Sequence, residues 1–464
     1  MTPPERLPAS FRDPSGFLYR RDGELFRQVN RVNGGDYDRL MGSGLAAELW
    51  AAGLLIPHDE VDAPPWEPAT VHRVIRPEPI PFLSYPYEWC PSALRDAGLL
   101  TLEVHRRAIG VGMALKDASA YNVQFRGARP VFIDTLSFEP YREGEPWAAY
   151  RQFCQHFLAP LALMTRVDAR LGTLLRPHLD GIPLDLASRL LPNRSRLSLG
   201  LGLHIHLHAG LQGSHAGGTE SAPKRGFGKR AMLGLLDSLG SALRGVRWDP
   251  KGPGWAGYVD DNTYSPAARD HKHRLVADFL GEQGSGSERR IAWDLGANTG
   301  EYSRVAESKG YTVASFDLDP ACVERNYRDA SAEPGSKITP LVLDLANPSP
   351  AIGWENRERM AILERGPADV AMALALVHHL AIANNVPLGR VAEFLARAGR
   401  RLIVEFVPKD DPQVHRLLRS RPDIFVDYDR EGFEAAFAGP FATLRAEPII
   451  ESGRILYLME GRGG

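Results

Sequence analysis

Residues 291–300 read IAWDLGANTG: an apolar run closes on Asp294 and passes into a turn carrying Gly296 and Gly300 ahead of a helical stretch. Small residues at a strand end let the backbone come close to a ligand, and the helix that follows offers free N–H groups. The next apolar run, TVASFDLDP, ends on Asp317 and Asp319, where a carboxylate can chelate ribose hydroxyls. Together these stretches predict a nucleotide-type crevice at the carboxyl ends of parallel strands.

Which glycines are missing narrows the ligand. A nicotinamide or flavin site would carry G-x-G-x-x-G, with an apolar residue where Asp294 stands; this chain has D-L-G-A-N-T-G. That pattern resembles motif I of class I S-adenosylmethionine (SAM)-dependent methyltransferases, an acidic residue followed by G-x-G-x-G, with Asn298 in the middle glycine slot. From 291 onward apolar runs alternate with helical patterns: RRIAWDLG, TVASFDLD, ITPLVLD, DVAMALAL and RRLIVEFV, with CVERNYRDA and VAEFLARAGR between several of them. Such alternation implies parallel strands joined by crossover helices. Two further strand candidates after the helical EGFEAAFA, TLRAEPII and RILYLMEG, resemble the antiparallel terminal hairpin that separates this fold from dinucleotide-binding ones.

At 464 residues the chain is long enough for two or three domains. The expected architecture is α/β: a Rossmann-like seven-stranded class I methyltransferase domain over 251–464, preceded by an α+β kinase-like module at 1–140 and a helical connector at 141–250. The stretch 209–229 is rich in Gly, Ser and Ala and reads as a flexible loop, and GEQGSGSERR at 281–290 marks a shorter break. A formal net charge of −2 supplies no global attraction for nucleic acid or an anionic membrane. Three cysteines, Cys90, Cys154 and Cys322, are too few and too scattered for a disulfide framework. Neither a signal sequence nor a run of about 18 apolar residues occurs, so a cytoplasmic protein without a membrane partner is expected.

Methyl transfer from a sulfonium displaces an already activated carbon, so the protein chiefly holds cofactor and acceptor in line and takes up a proton where needed. The resemblance implies SAM over Gly296, Asn298 and Gly300, with Asp294 near its ammonium, Asp317 on the ribose hydroxyls and Asp344, in LVLDLANP, facing the adenine amino group. Asp319 reads as a helix cap or as a residue that supports the site from behind. His378 and His379, in LALVHHLAIANN, are the candidate general bases, since imidazole titrates near neutrality. Glu405 at the tip of IVEFVP is a second candidate, and each of these polar residues is equally readable as a cap or turn residue. Upstream, Tyr258, Tyr264 and Lys272 are candidates to line a lid over the cofactor; alternatively the aromatics pack a helix on the sheet.

A second constellation lies near the N-terminus. Residues 112–139, GMALKDASAYNVQFRGARPVFIDTLSFE, hold D-x-x-x-x-N at Asp117 and Asn122 and then Asp134 at a strand end. This resembles the catalytic loop and metal-binding Asp of protein-kinase-like and aminoglycoside-phosphotransferase-like folds. The resemblance implies that Asp117 orients a hydroxyl while Asn122 and Asp134 hold magnesium against a nucleotide's phosphates. The departures are a Leu115-Lys116-Asp117 triplet without histidine, Asp134-Thr135-Leu136 in place of Asp-Phe-Gly, and Arg27 where a phosphate-binding lysine is expected. His204, His206 and His208 would share one face of a strand and seed a metal site, whereas on a helix the rings fan apart.

The whole-chain pattern of YPYEW, LKDASAYN and FIDTLSFE followed by the methyltransferase stretch resembles a bacterial group that includes nodulation-associated methyltransferases. The expected function is methyl transfer to an unidentified small molecule, glycan or protein. The alternatives are a bifunctional protein with an active N-terminal phosphotransferase and a SAM-binding scaffold without turnover; motifs of this kind leave the acceptor open.

Overall fold

The computed structural model describes residues 4–208, 227–250, 264–282, 290–419 and 421–463. Tyr258, most of the 209–229 loop and most of the 281–290 break lie outside the described residues. Two compact units divide the chain: Met1–Phe125 with Arg129–Asp249 and Ile352–Arg359, and Arg126–Ala128 with Pro250–Ala351 and Met360–Gly464.

Unit one begins with an antiparallel sheet of β1 (Glu5–Arg6), β2 (Gly16–Arg21), β3 (Glu24–Asn30), β4 (His58–Glu60) and β5 (Val71–Pro77), in the order β1-β2-β3-β5-β4. Asp22 and Gly23, at φ 49° and 84°, form the two-residue turn between β2 and β3, where two left-handed residues match the twist of the paired strands. Alternation then places Phe17, Tyr19, Phe26 and Val74 in one apolar cluster. The helix Pro91–Gly110 buries one broad face, and the helices Ala159–Arg166 and Lys229–Gly245 pack on it, so the helical stretch and the N-terminal sheet fall in the same unit. After the helix Pro91–Gly110 come two small strand pairs, β6 (Met113–Leu115) with β9 (Phe138–Pro140) and, between these along the chain, β7 (Val123–Arg126) with β8 (Arg129–Phe132).

Unit two is built on seven strands: β10 (Ile291–Leu295), β11 (Thr312–Asp317), β12 (Ile338–Val342), β13 (Ala368–Ala373), β14 (Gly399–Phe406), β15 (Phe441–Pro448) and β16 (Ile455–Gly461). Their order is β12-β11-β10-β13-β14-β16-β15. β10 to β14 run parallel, while β16 is antiparallel to both β14 and β15. The central strands are buried along most of their length, as apolar runs such as ADVAMA require when helices cover both faces. The helices Glu301–Ser308, Pro320–Ala332 and Leu388–Ala398 supply crossovers. The chain leaves β10 toward β11 on one side and returns to β13 on the other, so the strand order reverses at β10 and opens a crevice at the carboxyl ends. Among the described residues no helix is long and apolar enough to cross a membrane.

Candidate active site

The crevice at the β10 tip is shaped by backbone that only small residues adopt comfortably. Gly296, Asn298 and Gly300 have φ of 78°, 51° and 83°, and the Gly296 and Ala297 N–H groups donate to the Phe316 carbonyl at 2.9 and 2.8 Å. A Cβ on Gly300 would stand 2.2 Å from the buried Asn326 Oδ1. Left-handed strain and the clash add, so Gly300→Ala should cost about 3 kcal/mol or more in urea unfolding; a loss below about 1 kcal/mol would mean that the turn tolerates a side chain.

Three neighbouring strands deliver carboxylates to this turn. Asp294 accepts from Ser303 Oγ at 2.6 Å. Asp317 accepts the Asn298 N–H at 2.7 Å and the Asp319 N–H at 2.8 Å. Asp319 itself caps the helix Pro320–Ala332 through the Ala321 N–H, 2.8 Å. Asp344, past β12, accepts the Ala346 N–H at 2.8 Å. All but Asp319 line one cavity of about 340 Å³, together with Gly296, Asn298 and His379. Burial pushes the Asp294 carboxyl up to about 6, with Ser303 and Lys272 opposing and Asp317 adding. Burial likewise lifts Asp317 to about 6 against the backbone N–H groups of Asp319 and Asn298.

The two histidines part company at the end of β13. His379 opens the short π-helix His379–Ala383 and faces the cavity. His378 is fully buried behind it, ring centroids 4.2 Å apart, with neither ring nitrogen hydrogen-bonded. Burial, reinforced by Arg454, lowers His379 to about 4, so its imidazole is neutral at pH 7.

Glu405, at the end of β14, is also buried, and cations surround it. Lys272 Nζ lies 2.7 Å away, Arg454 contributes an N–H at 3.2 Å, and the Tyr264 hydroxyl donates to it. Burial alone would raise this carboxyl, but Lys272 and Arg454 outweigh it and hold it at about 2. Such a carboxylate serves as a counter-ion rather than as a proton acceptor near neutrality. Arg454 also clamps Asp411 at 2.7 and 3.2 Å. Its guanidinium stands 4.4 Å from the Tyr264 ring centroid, while Lys272 lies 5.1 Å from that ring and 4.9 Å from the Tyr302 ring. Tyr264 and Lys272 therefore line the cavity, as do Arg454, Tyr302 and Gln413, which carry no local sequence signal.

In unit one, Asp117, Asn122 and Asp134 converge, linked through Ser137 and held by further partners. Asp134 is ion-paired with Arg27 at 2.6 Å and accepts from Ser137 Oγ and, at 3.1 Å, from the Leu136 N–H. Burial would raise this carboxyl, yet Arg27 and Ser137 bring it below the usual value. Asp117 accepts the Ser119 N–H at 2.9 Å and Asn122 donates to Ser137 Oγ at 3.3 Å. The three-histidine stretch is helical: His204 bridges Tyr150 and Ser238 at 2.8 Å each, and His206 bridges Ser188 and Ser195 at 2.8 Å each. Among the described residues no group of three or more His, Cys, Asp or Glu side chains could hold a metal ion.

A seven-stranded sheet closed by an antiparallel pair, with a glycine turn after its first strand and acidic residues at three successive strand tips, defines a class I SAM-dependent methyltransferase fold. No family model matches the chain. It is 36% identical over 470 residues to nodulation protein NoeA of Rhizobium meliloti (strain 1021), across 98% of this chain and 96% of that protein, and it belongs to the NoeA family. Among solved structures, the PH0226 protein from Pyrococcus horikoshii OT3 is 16% identical and covers 46% of this chain and 100% of its own, with a TM-score of 0.31. Magnesium protoporphyrin IX methyltransferase from Synechocystis PCC 6803 is 16% identical over 45% of this chain and 90% of its own, TM-score 0.30. The bifunctional kinase-methyltransferase WbdD is 17% identical over 44% of this chain and 42% of its own, TM-score 0.30.

Proposed function

We propose that the chain is a SAM-dependent methyltransferase acting on a small molecule, glycan or protein side chain. The observation that carries this reading is the convergence of Asp294, Asp317 and Asp344 with the turn residues Gly296, Ala297, Asn298 and Thr299 on one cavity that His379 also lines, Gly300 lying behind the turn. SAM, when bound, supplies a methyl group on a positively charged sulfur. Asp317 would take the ribose hydroxyls, Asp344 the adenine amino group and Asp294 the ammonium, while the turn lets backbone approach as no larger residue would. His379, neutral and facing the cavity, can accept a hydrogen bond from an acceptor hydroxyl or amine and so orient it toward the methyl group. The three cysteines are buried and form no disulfide with one another, which suits the cytoplasmic location proposed here.

Calorimetry of SAM and of its demethylated product on the full-length chain tests the reading. Asp294 and Asp317 sit near 6 in the free protein, and a cationic ligand favours their ionised forms, so binding expels protons below that pH. Affinity for SAM should therefore rise from pH 5 through about 6 and level off above about 7.5, by up to roughly tenfold per pH unit for each carboxyl. Absent binding, or affinity that falls with rising pH, would sink the reading. Tight binding with no SAM consumed across an acceptor panel would instead support a SAM-binding scaffold.

The N-terminal unit we read as kinase-like but not as a working phosphotransferase. Magnesium held by Asn122 and Asp134 would first have to displace Arg27 from Asp134, an ion pair at 2.6 Å whose side chains are mostly buried, and separating such a pair is costly.

A further inference from the structure

Unit one turns an unusual face to solvent after the helix Leu184–Leu190. A helical turn at Leu199–Leu201 runs on as a π-helix over Gly202–Leu207. Its inner side is apolar, as expected, with Leu201 and Ile205 buried. Its outer side is apolar too: Leu199, Leu203 and Leu207 recur every fourth residue and all three are exposed, Leu199 at 92%, with Leu197 just before them at 89%. A helix apolar on both sides has a second apolar medium to face. The helix is also fixed in rotation. His204 is held between Tyr150 and Ser238, and His206 between Ser188 and Ser195, so the leucines cannot turn inward without breaking four hydrogen bonds.

Charge complementarity selects the medium. Arg194 and Arg196 are exposed immediately before the leucines and have no ion-pair partner among the described residues, whereas the nearest acid along the chain, Asp185, is taken by Arg189 at 3.0 Å. Ten helical residues reach only about 15 Å, half of a bilayer's apolar core of about 30 Å, so the helix can lie in an interface but not span it. We propose that this leucine face, with Arg194 and Arg196, docks the protein peripherally on an anionic phospholipid membrane. The weakly negative net charge of the chain does not oppose this, because attraction within a Debye length is local.

Co-sedimentation of the full-length chain with phosphatidylcholine vesicles, with and without phosphatidylglycerol, decides the matter. Binding is expected only with phosphatidylglycerol and should weaken as salt is raised. Leu199→Ser with Leu203→Ser and Leu207→Ser should lower it by roughly tenfold per leucine, and Arg194→Glu with Arg196→Glu by roughly fivefold per arginine or more, with SAM affinity unchanged in both. No binding to anionic vesicles at low salt, or binding indifferent to the serine substitutions, overturns the proposal. So does light scattering in which the wild type is a dimer and the serine variant a monomer, since a second copy would then cover the face. If the serine variant melts early, the arginine variant, altered only at exposed side chains, decides alone.

Discussion

Asp317→Ala should bind SAM about 100-fold more weakly than the wild type at pH 7.5. The carboxylate stands at the tip of β11 with each oxygen fixed by a backbone N–H, from Asn298 at 2.7 Å and Asp319 at 2.8 Å. Two acceptors so oriented can take a ribose diol without reorganising. Each charge-assisted hydrogen bond is worth about 1.5 kcal/mol or more, so losing two costs about 3 kcal/mol, which is about a hundredfold. Because Asp317 also holds the glycine turn, Asp317→Asn is the informative companion. It keeps an acceptor oxygen for one N–H and should retain the fold while binding SAM more weakly than the wild type. Calorimetry on the variants, with melting temperatures in parallel, checks this. Wild-type affinity in a folded Asp317→Ala chain would remove Asp317 from the cofactor site.

Glu405→Gln should lower stability by about 3–5 kcal/mol, the usual cost of stranding buried charge. Lys272 and Arg454 are both almost wholly buried and both face Glu405; Arg454 would keep Asp411, whereas Lys272 would lose the only ion-pair partner recorded for it among the described residues. The pH dependence carries the same prediction. Glu405 titrates at about 2 in the folded chain, where the two cations outweigh burial, against about 4.3 in an unfolded one. A depressed carboxyl contributes stability that is whole above the unfolded value and fades as pH falls through the folded one. The wild type should therefore lose stability between about pH 4.5 and 2 more steeply than Glu405→Gln does. Urea unfolding at pH 7 and across that interval measures both effects. Equal stability at pH 7 would show that the cations reach water or another partner.

The crevice at the strand tips was largely legible because its elements are local. A strand, a glycine turn with positive φ and a carboxylate at the next strand tip each occupy a few consecutive residues, and their order along the chain matches their order in space. Asp319 read correctly as a cap for the same reason, since its partner is two residues away. The histidine pair could not be resolved in this way: His378 and His379 are adjacent and chemically identical, and the direction of the π-helix after β13 decides which faces the cavity. The three histidines near 204 show how strongly backbone geometry governs reach. As a strand they would gather on one face; as a helix they separate onto different hydroxyl partners.

The sequence by itself determined that the C-terminal half forms a parallel α/β sheet with an antiparallel end and a crevice at its strand tips, because side-chain period and glycine conformation are properties of short segments. Tertiary structure alone decided what surrounds that crevice. Lys272 and Arg454 lie far along the chain from Glu405 and Asp411, and they meet only when a helix preceding the sheet and the turn before β16 close on the end of β14. In the same way Arg27, over a hundred residues from Asp134, takes the carboxylate that the local motif offered to a metal. Charge pairs of this kind depend on distance in space, which hydrophobic periodicity does not encode.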